Sequence, residues 1–165
     1  MLRLPAVAGR FYPSNAAELT AAYDRMSQSL KDHALAGTLV CQQVSGGLEL
    51  VLGLHRDPEM GLVVMAGGGG VLLELTRDVA FCVPPVTRDK AQDLIGRTRA
   101  ARLLQGYRGA PPRDAEAVAD ALIALGRLAV DGAELIESVD INPFVAMPQG
   151  QGGLALDALI VLRRR

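Results

Sequence analysis

The chain has 165 residues, half of them apolar, a formal net charge of −1 and 4% aromatic side chains. That length suits one domain around one hydrophobic core. The near-neutral charge and scarce rings exclude a nucleic-acid groove, which needs clustered Lys/Arg and stacking aromatics, and the one dense basic run, Arg163–Arg164–Arg165, reads as a solvated tail.

Residues 1–15 read as an irregular lead-in, interrupted by Pro5, Gly9 and Pro13, with no charged segment feeding an apolar signal core. No window reaches the uninterrupted apolar length of a membrane span, so the sequence reads as cytoplasmic, with no membrane contact. The folded domain is expected over residues 16–165. Ser14 or Asn15 caps a helix running to about His33, with Leu19, Tyr23, Met26 and Leu30 spaced for one buried face. Glu18 lies near the first turn, where a carboxylate favours the helix dipole.

Gly37 restarts the chain as a strand, Thr38–Val44, and Gly46–Gly47 gives a tight connection into a second, Leu48–His55, where Leu50, Leu52 and Leu54 alternate. Arg56–Glu59 is a charged turn and Gly61–Ala66 a third strand; short turns between strands mean an antiparallel meander. Gly67–Gly70 interrupts the pattern, Val71–Leu75 resumes it, and Pro84–Pro85 ends the β-rich block. Cys41 and Cys82, each inside an apolar run, read as two buried thiols of a reduced protein.

Thr87 caps the next helix, running to about Thr98 with Asp89 in its first turn. Beyond the Gly106–Gly109 loop and Pro111–Pro112, an amphipathic helix runs from Asp114 to about Val130 with Val118, Leu122, Leu125 and Leu128 as its apolar stripe. The last third is a hairpin: Leu135–Met147, bent at Pro143, a turn over Gln149–Gly153, and Leu154–Leu162. The predicted fold class is α+β, an antiparallel sheet with helices packed on one face.

The hairpin carries the strongest chemical signal. Asp140 and Asn142 point to one side because strand side chains alternate, and Asp157 on the returning strand can face the same side. Converging carboxylate and amide oxygens suit a hard cation such as magnesium; the same residues also suit a plain strand end with Asn in a turn. The Gly67–Gly70 run presents backbone N–H groups without side-chain obstruction, which fits a phosphate, a partner loop or simply a flexible turn. His33, ending a polar helix, and His55, beside Arg56, read as surface histidines, and no Ser–His–Asp order or metal-type His/Cys spacing is present.

The stretch from Glu137 through Asp140, Asn142 and Pro143 to Phe144, followed by Gly153 to Ala158 with its Asp157, resembles the ATP-grasp domain of succinyl-CoA synthetases. It is more similar still to that of ADP-forming acetyl-CoA synthetases and protein acetyltransferases. The likeness continues upstream through Val44–Leu50, Arg56–Pro58, Gly61–Gly67, Gly69–Glu74, Asp78–Phe81, Leu104–Gly109 and Pro111–Pro112, in unbroken order over roughly residues 37–162.

That resemblance implies the C-terminal subdomain of an ATP-grasp clamp, with Mg2+ and ATP or ADP as cofactors and ADP-forming acid–CoA ligation as the activity. Asn142 and Asp157 match the magnesium ligands, and Asp140 orients the metal shell. Gln42, Gln43 and Val44 match the hinge strand beside the adenine, although relatives usually carry Glu where Gln43 stands. Glu49 faces the phosphate region, with Gly69 and Gly70 approaching the phosphates. Glu74 faces the docking place of a phosphorylated histidine loop from another domain; a salt bridge to Arg77 or Arg108 is its alternative. The implied partner is a CoA-binding or ligase domain or subunit carrying that phosphohistidine. The N-terminal subdomain with its phosphate-binding Lys is absent or reduced to Met1–Asn15, so turnover is expected to need the missing domains. The alternative is a non-catalytic remnant or interaction module, and self-association into a homo-oligomer through apolar surface suits either. Leu4–Pro13 is similar to the start of the Memo-like family, which implies a rearranged or truncated gene.

Overall fold

The computed structural model describes residues 16–33, 44–69 and 78–163. The chain divides into two compact units, Met1–Ser45 and Gly46–Arg165. In the first, helix α1 spans Ala16–Ser29. Leu19, Tyr23 and Met26 are exposed on it, not buried as their spacing predicts. Periodicity fixes which residues share a side; burial needs a covering surface, and the described residues of this unit supply none. The expected strand Thr38–Val44 lies outside the described residues except for Val44, as does Cys41.

The second unit is a six-stranded antiparallel sheet: β1 Leu48–Asp57, β2 Gly61–Gly68, β3 Val79–Cys82, β4 Ile136–Ala146, β5 Gly153–Ala155 and β6 Ala158–Leu162. The order is β3-β2-β1-β4-β5, with β6 also paired to β4. Among the described residues, three helices connect the strands: α2 Arg88–Gly96, α3 Ala100–Leu104 and α4 Ala115–Asp131. Leu50, Leu52 and Leu54 of β1, Val64 and Ala66 of β2 and Phe144 of β4 form one buried cluster with Leu94 of α2 and Val118 and Leu122 of α4. Each of these described helices contributes to that cluster, so they cover a single face, as the α+β reading expects.

Some elements differ from the sequence expectation. Leu154–Leu162 is two strands, not one, broken at Leu156–Asp157. There the Leu156 N–H donates to the Pro143 carbonyl at 3.0 Å and the Asn142 N–H to the Asp157 carbonyl at 3.1 Å, following the bend of β4. On α4, Leu128 is exposed, and the buried stripe closes with Gly126 and Ala129 instead. A Cβ on Gly126 would lie 2.7 Å from Val86 Cγ2, so the bare glycine lets Val86 pack against the helix. The strand β3 and the short helix α3 have no counterpart in the expectation. The strand expected at Val71–Leu75 lies outside the described residues. Strand β1 continues to Asp57, and the turn that follows is closed by the Asp57 carboxylate, which accepts the N–H groups of Glu59 and Met60 at 2.9 Å.

Asp114 ties the helical layer to the terminal hairpin. Its Oδ1 accepts the Ala117 N–H at 3.1 Å, capping α4, while Oδ2 accepts the Gly152 N–H at 2.8 Å from the turn before β5. Those donors, Gly152 first, hold the carboxyl below the usual carboxylate range. Asp114→Ala is expected to lower stability by about 1–2 kcal/mol. Above the unfolded value of about 3.9 the carboxylate is ionised in both states and its contribution is complete; it fades as pH falls through the lower folded value. The gap between wild type and Asp114→Ala in urea unfolding should therefore be constant near neutrality and shrink in acid. A gap that widened in acid would contradict the assignment.

Candidate functional site

The register of the sheet decides which polar residues share a face. Leu50, Leu52 and Leu54 turn toward the helices, so Glu49, Val51, Gly53 and His55 turn away from them. Gly53 lies opposite Asp140 and Glu49 opposite Val145, which puts Asp140 with Glu49 on the face away from the described helices of this unit. Asn142, two residues on, is exposed like Asp140, whereas the intervening Ile141 packs against the core. Asp157 sits between β5 and β6, and the 3.1 Å bond from the Asn142 N–H to its carbonyl holds the two residues side by side. Asp140, Asn142 and Asp157 are thus gathered where β4 bends, and all three are exposed.

A second group forms at the opposite flank of β1. The Gly69 N–H donates to the Glu49 carbonyl at 3.0 Å, and the Gly68 N–H to the Asp78 carbonyl at 3.3 Å. The glycine run therefore leaves the sheet directly alongside Glu49, with Gly69 buried. Asp78 closes the base of this segment, because its Oδ2 also accepts the Arg99 N–H at 2.7 Å just ahead of α3. Sequence reasoning gave Asp78 no such task; its partner is 21 residues away and no local capping pattern announces it. Gln42, Gln43, Gly70 and Glu74 lie outside the described residues, and Val44 is half-buried without regular structure.

Among the described residues, no group of three or more His, Cys, Asp and Glu could hold a metal. The hairpin donors are two carboxylates and one amide. Such a sparse hard-oxygen set fits magnesium, which takes few protein carboxylates and fills its octahedron with waters and phosphate oxygens. It does not fit zinc or a soft metal. His33 and His55 are exposed, as expected of surface histidines. Cys82 is half-buried, less covered than its apolar surroundings suggest, and burial pushes its thiol up, away from a reactive thiolate. A groove of about 530 Å³ between Pro85–Arg88 and Ile123–Asp131 touches none of the candidate residues. No described helix is long and apolar enough to cross a membrane.

The described helices of this unit thus pack on one face of the antiparallel sheet, and Glu49 and Asp140 point to the other. Residues 12–162 match the ATP-grasp domain, and the chain belongs to that family. Among its relatives, the acetate–CoA ligase [ADP-forming] I of Archaeoglobus fulgidus is 40% identical over 116 residues, which is 70% of this chain and 17% of that protein. The acetate–CoA ligase [ADP-forming] II subunit beta of Pyrococcus furiosus is 33% identical over 132 residues, 80% of this chain and 56% of the subunit. The chain therefore spans only part of the curated relatives it matches. Among solved structures, it is similar to a dinucleotide-forming acetyl-coenzyme A synthetase 1 of Ca. Korarchaeum cryptofilum, in complex with coenzyme A, acetyl-coenzyme A and a phosphorylated phosphohistidine segment. That match has TM-score 0.78 and 38% identity, covering 96% of this chain and 72% of that one. The same synthetase has been solved with coenzyme A and Mg-AMPPCP, its phosphohistidine segment pointing towards the nucleotide-binding site; there the TM-score is 0.75 and the identity 41%, over 89% of this chain and 64% of that one.

Proposed function

We propose that this chain is the nucleotide-binding half of a cytoplasmic ADP-forming acyl-CoA synthetase and turns over only with further domains or a partner subunit. One observation carries the reading: the backbone bond from the Asn142 N–H to the Asp157 carbonyl at 3.1 Å, beside Asp140 on the sheet face opposite the described helices of its unit. In the assembled enzyme, acyl-CoA, ADP and phosphate interconvert with acid, CoA and ATP. Asn142 and Asp157 hold magnesium, which when bound neutralises charge on the nucleotide phosphates. Asp140 orients that shell. Gln42, Gln43 and Val44 read the adenine edge through backbone groups. Glu49, Gly69 and Gly70 line the phosphate path, the glycines allowing close approach. Glu74 receives the histidine loop of a CoA-binding partner, which carries the phosphoryl group between the two halves.

Calorimetric titration of the chain with Mg-ADP tests the site. Asn142→Ala and Asp157→Ala are each expected to weaken metal-dependent binding by at least about tenfold, as loss of one hard oxygen ligand implies. Their unfolding midpoints should stay close to wild type, since both side chains are exposed. Unchanged affinity in both variants would refute the ligand assignment. Undetectable binding by the wild-type chain at millimolar nucleotide would favour a non-catalytic remnant or interaction module.

A further inference from the structure

Strand β6, Ala158–Leu162, pairs with β4, and among the described residues nothing pairs with its outer edge. Its sequence, Ala-Leu-Ile-Val-Leu, holds no charge and no proline. Leu159, Ile160, Val161 and Leu162 are 62, 54, 41 and 65% exposed. An uncovered apolar edge strand is a template for further pairing, which natural proteins otherwise blunt with lysine, proline or a covering element. Here none of those devices is present within the strand.

We propose that β6 pairs with β6 of a second copy of this chain, antiparallel about a two-fold axis through Ile160, joining two sheets into one. The residues themselves select this register. Ile160 meets its own mate, Leu159 lies opposite the partner's Val161, and Ala158 lies opposite the partner's Leu162, small against large. One step further out, Asp157 falls opposite the partner's Arg163, and the symmetry makes that pairing twice. Moving the axis to Leu159 sets Asp157 against an apolar Val161, and moving it to Val161 sets Arg163 against Leu159. Only the axis through Ile160 matches both charge and bulk, and cross-strand pairs of this kind fix register. Arg163 is able to take part: its ion pair with Glu134 is 3.7 Å long and exposed, a contact of little worth. A two-fold contact of identical edges is closed, so association stops at the dimer. Extension along the edge packs on neither face of the sheet; Asp157 is shared with the proposed magnesium site, so magnesium is expected to compete with Arg163 for its carboxylate.

Sedimentation of the full chain across a concentration series tests the proposal. The expected species at the upper end has twice the 17.4 kDa chain mass. Arg163→Glu should weaken the dimer by about tenfold, because two attractions become two repulsions; adding Asp157→Arg should restore it. The register is read by cross-linking: in a Cys41→Ser, Cys82→Ser background, Ile160→Cys should oxidise to a disulfide-linked dimer, since directly opposite Cβ atoms lie about 5 Å apart. Glu59→Cys, in the exposed turn after β1, should stay unlinked. A monomer at every concentration would overturn the proposal, as would an open-ended series of larger species. So would a dimer that is indifferent to Arg163→Glu and fails to cross-link through position 160.

Discussion

Replacing Gly53 by alanine is expected to lower stability by about 3 kcal/mol, and to disturb the candidate site as it does so. Gly53 sits in β1, the strand flanked by β2 and β4, opposite Met65 on one side and Asp140 on the other. A Cβ there would stand 2.3 Å from the Val139 carbonyl oxygen and 3.4 Å from its carbon. The obstacle is backbone, so no rotamer change relieves it. Either β4 moves off β1 at Val139–Asp140, losing ladder hydrogen bonds in the middle of the sheet, or β1 twists out of register with its leucine face. For a domain of this size the unfolding midpoint should fall by roughly 6–12 °C. Because the displaced residue is Asp140, Mg-ADP affinity should fall below that of the wild type even where the variant remains folded. His55→Ala, on the same face and exposed, serves as the control and should change stability by less than about 0.5 kcal/mol. A Gly53→Ala midpoint indistinguishable from that control would show that the close approach does not constrain the sheet.

The contrast between those two positions explains how much of the fold was legible in the sequence. Helix α4 was readable almost to the residue because its signals are local: Asp114 caps it, and Val118, Leu122 and Leu125 recur on one face. Strand β1 was readable from the alternation of Leu50, Leu52 and Leu54, and β2 and β4 from apolar stretches bounded by turn residues at Gly61 and Gln149–Gly153. What escaped depends on distant partners. The break between β5 and β6 is set by Pro143 and Asn142 across the hairpin, the burial of Gly126 on α4 by Val86 packed against it, and the work of Asp78 by Arg99. Helix α3 is five residues long with no side-chain cap, so nothing local announces it.

The candidate site divides the same way. The nearness of Asp140, Asn142 and Asp157 followed from hairpin geometry and strand alternation. That Glu49 shares their face follows from the pairing of Gly53 with Asp140, a register no single strand reveals. The chemical roles came from family resemblance, since two carboxylates and an amide at a strand bend suit a bare turn equally well. Gln42, Gln43, Gly70 and Glu74 lie outside the described residues, and their roles stand as proposals.

The glycine run offers the sharpest separation of a flexible turn from a fitted one, because adjacent residues have opposite expectations. Gly68→Ala should be tolerated, within about 1 kcal/mol of wild type, the stiffer unfolded chain offsetting any local cost. Its Cβ would meet only Asp78 Oδ2 at 3.9 Å and Ala100 Cβ at 4.0 Å, ordinary contact distances. Gly69→Ala should cost about 2–3 kcal/mol. Its Cβ would lie 2.7, 2.8 and 2.9 Å from the Glu49 carbon, the Leu50 nitrogen and the Glu49 oxygen, all backbone atoms of β1. Relief requires the run to lift away from Glu49 and give up the 3.0 Å bond from the Gly69 N–H. If Glu49 and Gly69 line the phosphate path, Mg-ADP affinity falls in Gly69→Ala and is retained in Gly68→Ala. Equal stability of the two variants would mean that the run is merely a loose connection, and equal affinity with unequal stability would leave its role as the docking of β1 rather than of a nucleotide.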